Sequence, residues 1–295
     1  MANTLLALAY DDVNERKAER LRECAVFLEF TVLEDGNKKL KTMNSCRVRL
    51  CPLCAWRRSL KVYHNTKAIM TALEGKYAFL FLTLTVRNCK GSELSETIDL
   101  MMAAWNRFVQ RKAIKQAVKG WYRGLEITHN TDPKSPNYDT FHPHFHVAIA
   151  VNKSYFKNRQ YISQEAWVDM WQQSAKLDYK PIVDIRKTYG NTAKDVAEVA
   201  KYSVKDGDFI FPDDWDLTVD TVRTLDEALN NRRFVAYGGE FKELHKLLNL
   251  EDEEDGDLIH VDEDSSTAAA TDKTQFFFWH TGYNQYIRDT NKEQG

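Results

Sequence analysis

Residues 141–151, FHPHFHVAIAV, set His142, His144 and His146 at alternate positions, with Phe145, Val147, Ile149 and Val151 between and beyond them. Successive side chains of an extended strand point to opposite faces, so this segment reads as a strand with three imidazoles on one side and apolar groups on the other. A chain carrying such a strand must build a sheet with a packed apolar layer behind it and leave a polar, metal-capable surface in front.

Two imidazoles two residues apart on a strand can share one ion. Imidazole suits several divalent metals, and an added carboxylate with open coordination positions suits manganese or magnesium at a phosphate. The carboxylate expected here is Glu126. It lies in the preceding strand, residues 121–128, which the Asn-Thr-Asp-Pro and Ser-Pro-Asn loop brings back antiparallel to the histidine strand. His142 is the competing ligand. Structural zinc is the rival metal, but no cysteine lies nearby and the tetrahedral set is incomplete.

Around this strand the pattern alternates. Residues 77–86 (YAFLFLTLTV) have a buried-strand composition. Beyond Gly91 and Ser92, the spacing of Ile98, Met102, Trp105 and Val109 predicts an amphipathic helix that Gly120 ends. Ser163 caps a helix carrying Trp167, Met170 and Trp171, Pro181 opens a fourth strand through Lys187, and Asn191 caps a last helix to about Asp206. The order strand, helix, strand, strand, helix, strand, helix is an α+β, split ferredoxin-like arrangement with one added helix. It occupies residues 77–206. Residues 1–76 form an N-terminal segment, 207–250 a helical extension, 251–275 an acidic linker and 276–295 a C-terminal aromatic segment able to pack back on the body.

Of the five cysteines, three fall within nine residues as Cys46-x4-Cys51-x2-Cys54, and Cys24 can complete a tetrahedron from upstream. No secretory signal precedes them, so a disulfide framework is disfavoured and a structural zinc site is expected. Cys89 is left over. Arg57, Arg58 and Lys61 follow directly, with Trp56 among them, and make a basic and aromatic patch suited to DNA.

The net charge of −2 conceals an asymmetry: residues 251–264 hold nine Asp or Glu and no Lys or Arg, so the remainder carries +7. A phosphate backbone can be held by that remainder, while the acidic run reads as a solvated segment. The longest apolar run, 77–86, is too short to span a bilayer, and the chain reads as soluble and cytoplasmic.

In AKDVAEVAKYSVKD, residues 193–206, a helical period displays Tyr202 among Lys194, Glu198, Lys201 and Lys205, with Glu198 one turn before it. Nearby lysines favour a phenolate, which can attack a phosphate. Lys201 and Lys205 are expected to hold phosphates or the phenolate.

FLTLTV (81–86), HPHFHV (142–147) and EVAKYSVK (198–205) resemble, in order and spacing, the three motifs of HUH endonucleases. The nearest likeness is to the Rep initiators of small bacterial rolling-circle plasmids. RLCPLCAWRRSLK (49–61) and RRFVAYGGEFKELHKLL (232–248) extend it over most of residues 20–250. The resemblance implies an HUH nuclease core with His144 and His146 as paired ligands, Glu126 as the acidic ligand, Tyr202 as the nicking nucleophile and Glu198 as the residue acting at termination. It further implies plasmid origin DNA as partner, with a single-stranded or hairpin nick site and flanking duplex, a 5′-phosphotyrosine intermediate, and a 3′-hydroxyl that primes host polymerase beside a recruited host helicase. The motif holds one tyrosine where some relatives have two, which favours a water-mediated second cut. Cysteines recur at these places in the family, although Ala25 stands where a Gly is expected after Cys24. A relaxase or transposase acting on another DNA, and a non-catalytic zinc-containing regulator, are the competing readings. The oligomeric state is left open.

Overall fold

The computed structural model describes residues 2–188, 205–261 and 268–292. The helix expected from Asn191, with Glu198, Lys201 and Tyr202, lies outside the described residues; Lys205 lies within them.

Two antiparallel sheets and a set of helices make a mixed α+β chain. The larger sheet grows from the histidine strand. β5 (Thr140–Asn152) pairs on one side with β3 (Tyr77–Thr85) and on the other with β4 (Val118–Asn130), while β6 (Val183–Lys187) and β7 (Val235–Gly239) form the edges, in the order β6-β3-β5-β4-β7. The alternation expected of β5 holds. Phe145, Val147, Ile149 and Val151 join Leu80, Leu82, Leu84, Leu125 and Ile127 in one core behind the sheet.

That core is closed by α4 (Gly91–Val109), α6 (Gln164–Ala175) and α7 (Trp215–Leu229). Fully buried Trp167 and Trp171 anchor α6, and Trp171 Nε1 donates to Thr85 O at 2.8 Å, tying the helix to the end of β3. Each such ring contributes on the order of 1.5–3 kcal/mol or more by leaving water. As expected, Ser163 caps α6, its hydroxyl accepting from Ala166 N at 3.2 Å. The opposite sheet face is covered only in part. α3 (Pro52–Leu73) and α8 (Glu240–Leu247) pack Val62, Ile69, Met70 and Phe241 over Phe79, Phe81, Ala148 and Ala150, and the Phe81 ring borders the histidines, 5.5 Å from that of His146.

Several boundaries differ from expectation. Gly120 does not end a helix: α4 stops at Val109, α5 (Lys112–Ala117) follows, and Gly120 sits inside β4. A Cβ there would meet Phe241 N at 2.8 Å, so close packing of α8 on the strand is what requires glycine. The 207–250 extension is not wholly helical, because Val235–Gly239 adds a fifth strand along β4.

Residues 251–261 are not a solvated linker. Glu253, 2% exposed, accepts from Asn65 Nδ2 at 2.6 Å and Tyr237 Oη at 2.7 Å. Glu254 accepts from Phe234 N at 2.5 Å and pairs with Arg49 at 2.8 Å, and Asp252 pairs with Arg233. Glu253 and Glu254 can be buried because each meets a donor or cation on the body.

The C-terminal aromatic segment packs back as a sheet. β8 (Ala270–His280) pairs with β1 (Phe27–Leu33), between β2 (Lys38–Met43) and β9 (Gln285–Arg288). The strap at 251–261 and this sheet join the chain's C-terminal part to its N-terminal hairpin. Among the described residues no helix is long and apolar enough to cross a membrane.

Candidate functional site

Antiparallel register does the work that sequence spacing could only suggest. Glu126 lies directly opposite His144, and Thr83 opposite His146, so the carboxylate and both imidazoles share one face of three adjacent strands. His146 Nε2 is 2.6 Å and His144 Nε2 3.3 Å from Glu126 Oε2, and the two nitrogens are 3.1 Å apart. His144 Nδ1 meets the carbonyl of His142 at 3.0 Å, which makes Nδ1 the donor and leaves Nε2 with its lone pair aimed inward. All three side chains are buried.

Three electron-pair donors converging within 4.8 Å need a cation or protons between them, and a carboxylate with two imidazoles is a suitable set for a divalent metal. Burial alone would raise the Glu126 carboxyl, but its contacts with His144 and His146 outweigh that and hold it well below the usual carboxylate range. The anionic carboxylate is the form that a metal ligand must take.

His142 stays outside this trio. Its ring stacks on His144 with centroids 5.2 Å apart, and burial, then the neighbouring His144, lowers its pKa from the usual imidazole value. Lys205, on the opposite side, brings Nζ to 3.8 Å from Glu126 Oε1 with a largely exposed side chain. Its place is fixed by a residue that sequence reasoning missed. His129 is buried between Asp139 Oδ1 at 2.9 Å and the Asp208 carbonyl at 3.2 Å, stacked on Phe141 at 4.3 Å, and Asp208 in turn accepts from Lys205 N at 3.2 Å. A single histidine at a strand end carries no sequence signal for such a clamp.

The expected four-cysteine site also assembles. Cys24, Cys46, Cys51 and Cys54 are buried free thiols, with Sγ–Sγ separations of 3.6 Å (24 to 51), 3.7 Å (24 to 54) and 3.7 Å (46 to 54). A tetrahedron with metal–sulfur bonds of about 2.3 Å has edges of roughly 3.8 Å, so these spacings fit one zinc-sized ion. Cys51 and Cys54 sit at the N-terminus of α3, with Pro52 in its first turn, where the helix favours thiolate. Cys89 is remote from the cluster, its Sγ 3.6 Å from Phe141 O.

Ala25 follows Cys24 in the left-handed region, φ 56°, with its N–H donated to Asn44 O at 2.7 Å. A glycine there would avoid the Cβ penalty, which is the physical reason for expecting one. Ala25→Gly is expected to stabilise the four-cysteine module by about 1 kcal/mol, read as a rise in the urea midpoint.

The basic patch is placed differently from the sequence expectation. Arg57 and Lys61 are buried under the acidic strap: Arg57 Nε donates to Leu258 O at 2.8 Å, and Lys61 Nζ donates to Asp257 O at 2.6 Å and pairs with Glu251. Arg58 donates to Arg47 O at 2.9 Å, and burial lowers its pKa. Arg57 and Lys61 hold the strap instead of facing solvent, Arg58 is half-buried against Arg47, and of this patch Trp56 is the exposed member.

A family model described as replication protein matches residues 37–287. The chain belongs to the replication protein family. It is 42% identical to "Protein rep" of Bacillus amyloliquefaciens, over 92% of this chain and 85% of the relative. It is 36% identical to "Protein rep" of Streptococcus pneumoniae serotype 2, over 97% and 90%. A Staphylococcus aureus "Protein rep" is 37% identical over 67% of this chain and 86% of the relative. No solved structure matches. Membership of the replication protein family agrees with the resemblance to plasmid Rep initiators carried by the three motifs.

Proposed function

We propose that this replication protein nicks and rejoins one strand of plasmid origin DNA to start and finish rolling-circle replication. The convergence of Glu126, His144 and His146 at a sheet face carries the reading. The strand order β6-β3-β5-β4, with helices between β3 and β4 and between β5 and β6, supports a split ferredoxin-like HUH core. From Lys205 back to residue 202 is three residues, at most about 11 Å of chain, which supports Tyr202 acting at this trio.

Glu126, His144 and His146 would hold a divalent ion of the manganese or magnesium class, which supplies Lewis-acid polarisation of a phosphoryl oxygen when bound. The phenolate oxygen of Tyr202 attacks the phosphorus. A tyrosyl O–P bond forms, the bond to the 3′ oxygen breaks, and that oxygen takes up a proton and becomes the primer for host polymerase. Lys201 and Lys205 offer ammonium groups to the phosphate and the phenolate. At termination Glu198 takes a proton from water as it attacks the regenerated origin, and the new 3′-hydroxyl then displaces Tyr202 from its phosphate to close the circle. The Cys24, Cys46, Cys51 and Cys54 set would hold a structural zinc ion. Origin DNA is the partner, and a host helicase follows the nick.

The test is incubation with manganese and end-labelled single-stranded origin oligonucleotides on a denaturing gel. Wild type is expected to yield a protein-linked strand. Tyr202→Phe should lose the adduct by more than about a thousandfold in rate, the scale of losing a covalent nucleophile, while binding the oligonucleotide within about twofold. An unaltered function in Tyr202→Phe would favour the non-catalytic regulator.

A further inference from the structure

The loop joining β5 to α6 carries a pattern that the metal trio does not use. Residues 153–163 read KSYFKNRQYIS, with Lys153, Lys157 and Arg159, no carboxylate, and three aromatic rings interleaved. Tyr155 is the buried anchor: its hydroxyl accepts from Ile162 N at 3.1 Å and donates to Ile162 O at 3.3 Å, which closes the loop on itself. Phe156 and Tyr161 flank it with centroids 5.2 and 5.5 Å from its ring, yet they are 44% and 52% exposed.

Single exposed aromatics are ordinary, but here two rings are held in place by a third and border an open hollow floored by Leu80, Ile162, Trp167 and Ile185. Lys187 Nζ lies 5.5 Å over Phe156, and Lys153, Lys157, Arg159 and Arg186 are exposed around it. The nearby acids are already engaged, Asp184 with Arg186 at 3.8 Å and Glu165 with Lys180 at 3.7 Å. Position completes the picture. β6 is a sheet edge, and Arg186 projects from it onto the histidine face, 5.0 Å over Phe81, whose ring is 5.5 Å from that of His146.

We infer that this edge binds unpaired nucleotides of the strand that runs to the metal trio, with bases stacked on Phe156 and Tyr161 and phosphates along Lys157, Arg159 and Lys187. The inference rests on the DNA-nicking reading for the origin of the strand. A duplex keeps its base faces covered, so exposed rings among cations suit a single strand, and stacking of this kind is tolerant of sequence. Arg186 bridges the stacking edge and the trio, so a strand can pass from one to the other around β6.

The test needs neither metal nor cleavage, and so stays readable if the chemistry assigned to Tyr202 fails. Fluorescence anisotropy of the full chain is measured with a labelled oligothymidylate and with a labelled duplex of equal length. The double variant Phe156→Ala/Tyr161→Ala is expected to weaken single-strand binding by about tenfold or more and duplex binding by less than about twofold. Tyr161→Phe, which keeps the ring, should bind as wild type does, and unchanged thermal melting of the double variant shows that the fold is retained. Lys157→Ala should flatten the dependence of single-strand affinity on salt. Unchanged single-strand affinity in the double variant, an equal loss on both DNAs, or no single-strand binding by wild type would overturn the inference.

Discussion

His146→Ala is expected to reduce manganese-dependent strand cleavage by more than about a hundredfold, because loss of even an outer partner of a metal ligand costs about 10–100-fold in affinity or activity. His146 makes the shortest contact in the trio, 2.6 Å to Glu126 Oε2, and its removal leaves a buried carboxylate with His144 and the more distant Lys205 ammonium. Isothermal titration with manganese should show the same loss, which separates failed metal binding from failed chemistry. His142→Ala supplies the contrast. Its ring stacks on His144 outside the donor set, so cleavage should fall by less than about tenfold. Near-normal cleavage by His146→Ala, or a greater loss at His142 than at His146, would show that the trio is not the metal site. Because ligation requires an anionic carboxylate and neutral imidazoles, manganese affinity should also fall as pH is lowered.

Cys54→Ser is expected to cause the largest loss of stability. Four buried sulfurs that converge within 4.8 Å of one another would repel as thiolates, and a shared cation makes that arrangement favourable. Under the structural-zinc reading the ion would contribute much of the module's folding free energy, on the order of 10 kcal/mol in small zinc domains. The variant should therefore emerge with less than one zinc per chain by elemental analysis and melt at a markedly lower temperature. A strong chelator added to wild type should reproduce both effects. Cys24→Ser should behave alike, since Cys24 Sγ lies 3.6 Å from that of Cys51 and 3.7 Å from that of Cys54. Cys89→Ser should keep its zinc, because that thiol sits beside Phe141 O and away from the cluster. Full zinc content in Cys54→Ser would remove the structural-zinc reading.

The sequence made one kind of feature legible and hid another. The period-two histidines, the returning strand with Glu126 and the closely spaced cysteines are local patterns, and each reappears as a cluster of donors. What could not be read depends on partners far along the chain. Val235–Gly239 looks like part of a helical extension until β4 is present to pair with it; Gly238 then lies so near Trp121 that a Cβ would come within 2.2 Å of the ring. Gly120, a natural helix terminator by composition, is instead a strand residue that lets Phe241 approach. The acidic run reads as solvated because nothing local pairs with it, whereas Arg47, Arg49, Arg57, Lys61 and Arg233 meet it from other parts of the chain. The same pairing withdraws Arg57 and Lys61 from the DNA-facing role that their spacing suggests. His129 shows the limit most simply: its role as a clamp beneath Lys205 exists only through Asp139, Asp208 and Phe141.

Under the proposed function a tyrosine beside the Glu126, His144 and His146 trio becomes covalently joined to DNA. The most direct test is protease and nuclease digestion of the product formed with manganese and single-stranded origin DNA, followed by tandem mass spectrometry. The expected result is a nucleotide phosphate on the peptide containing Tyr202, attached through the 5′ side of the cleaved strand with a free 3′-hydroxyl on the released piece. A phosphate on another of the tyrosines, or cleavage with no peptide adduct at all, would contradict it.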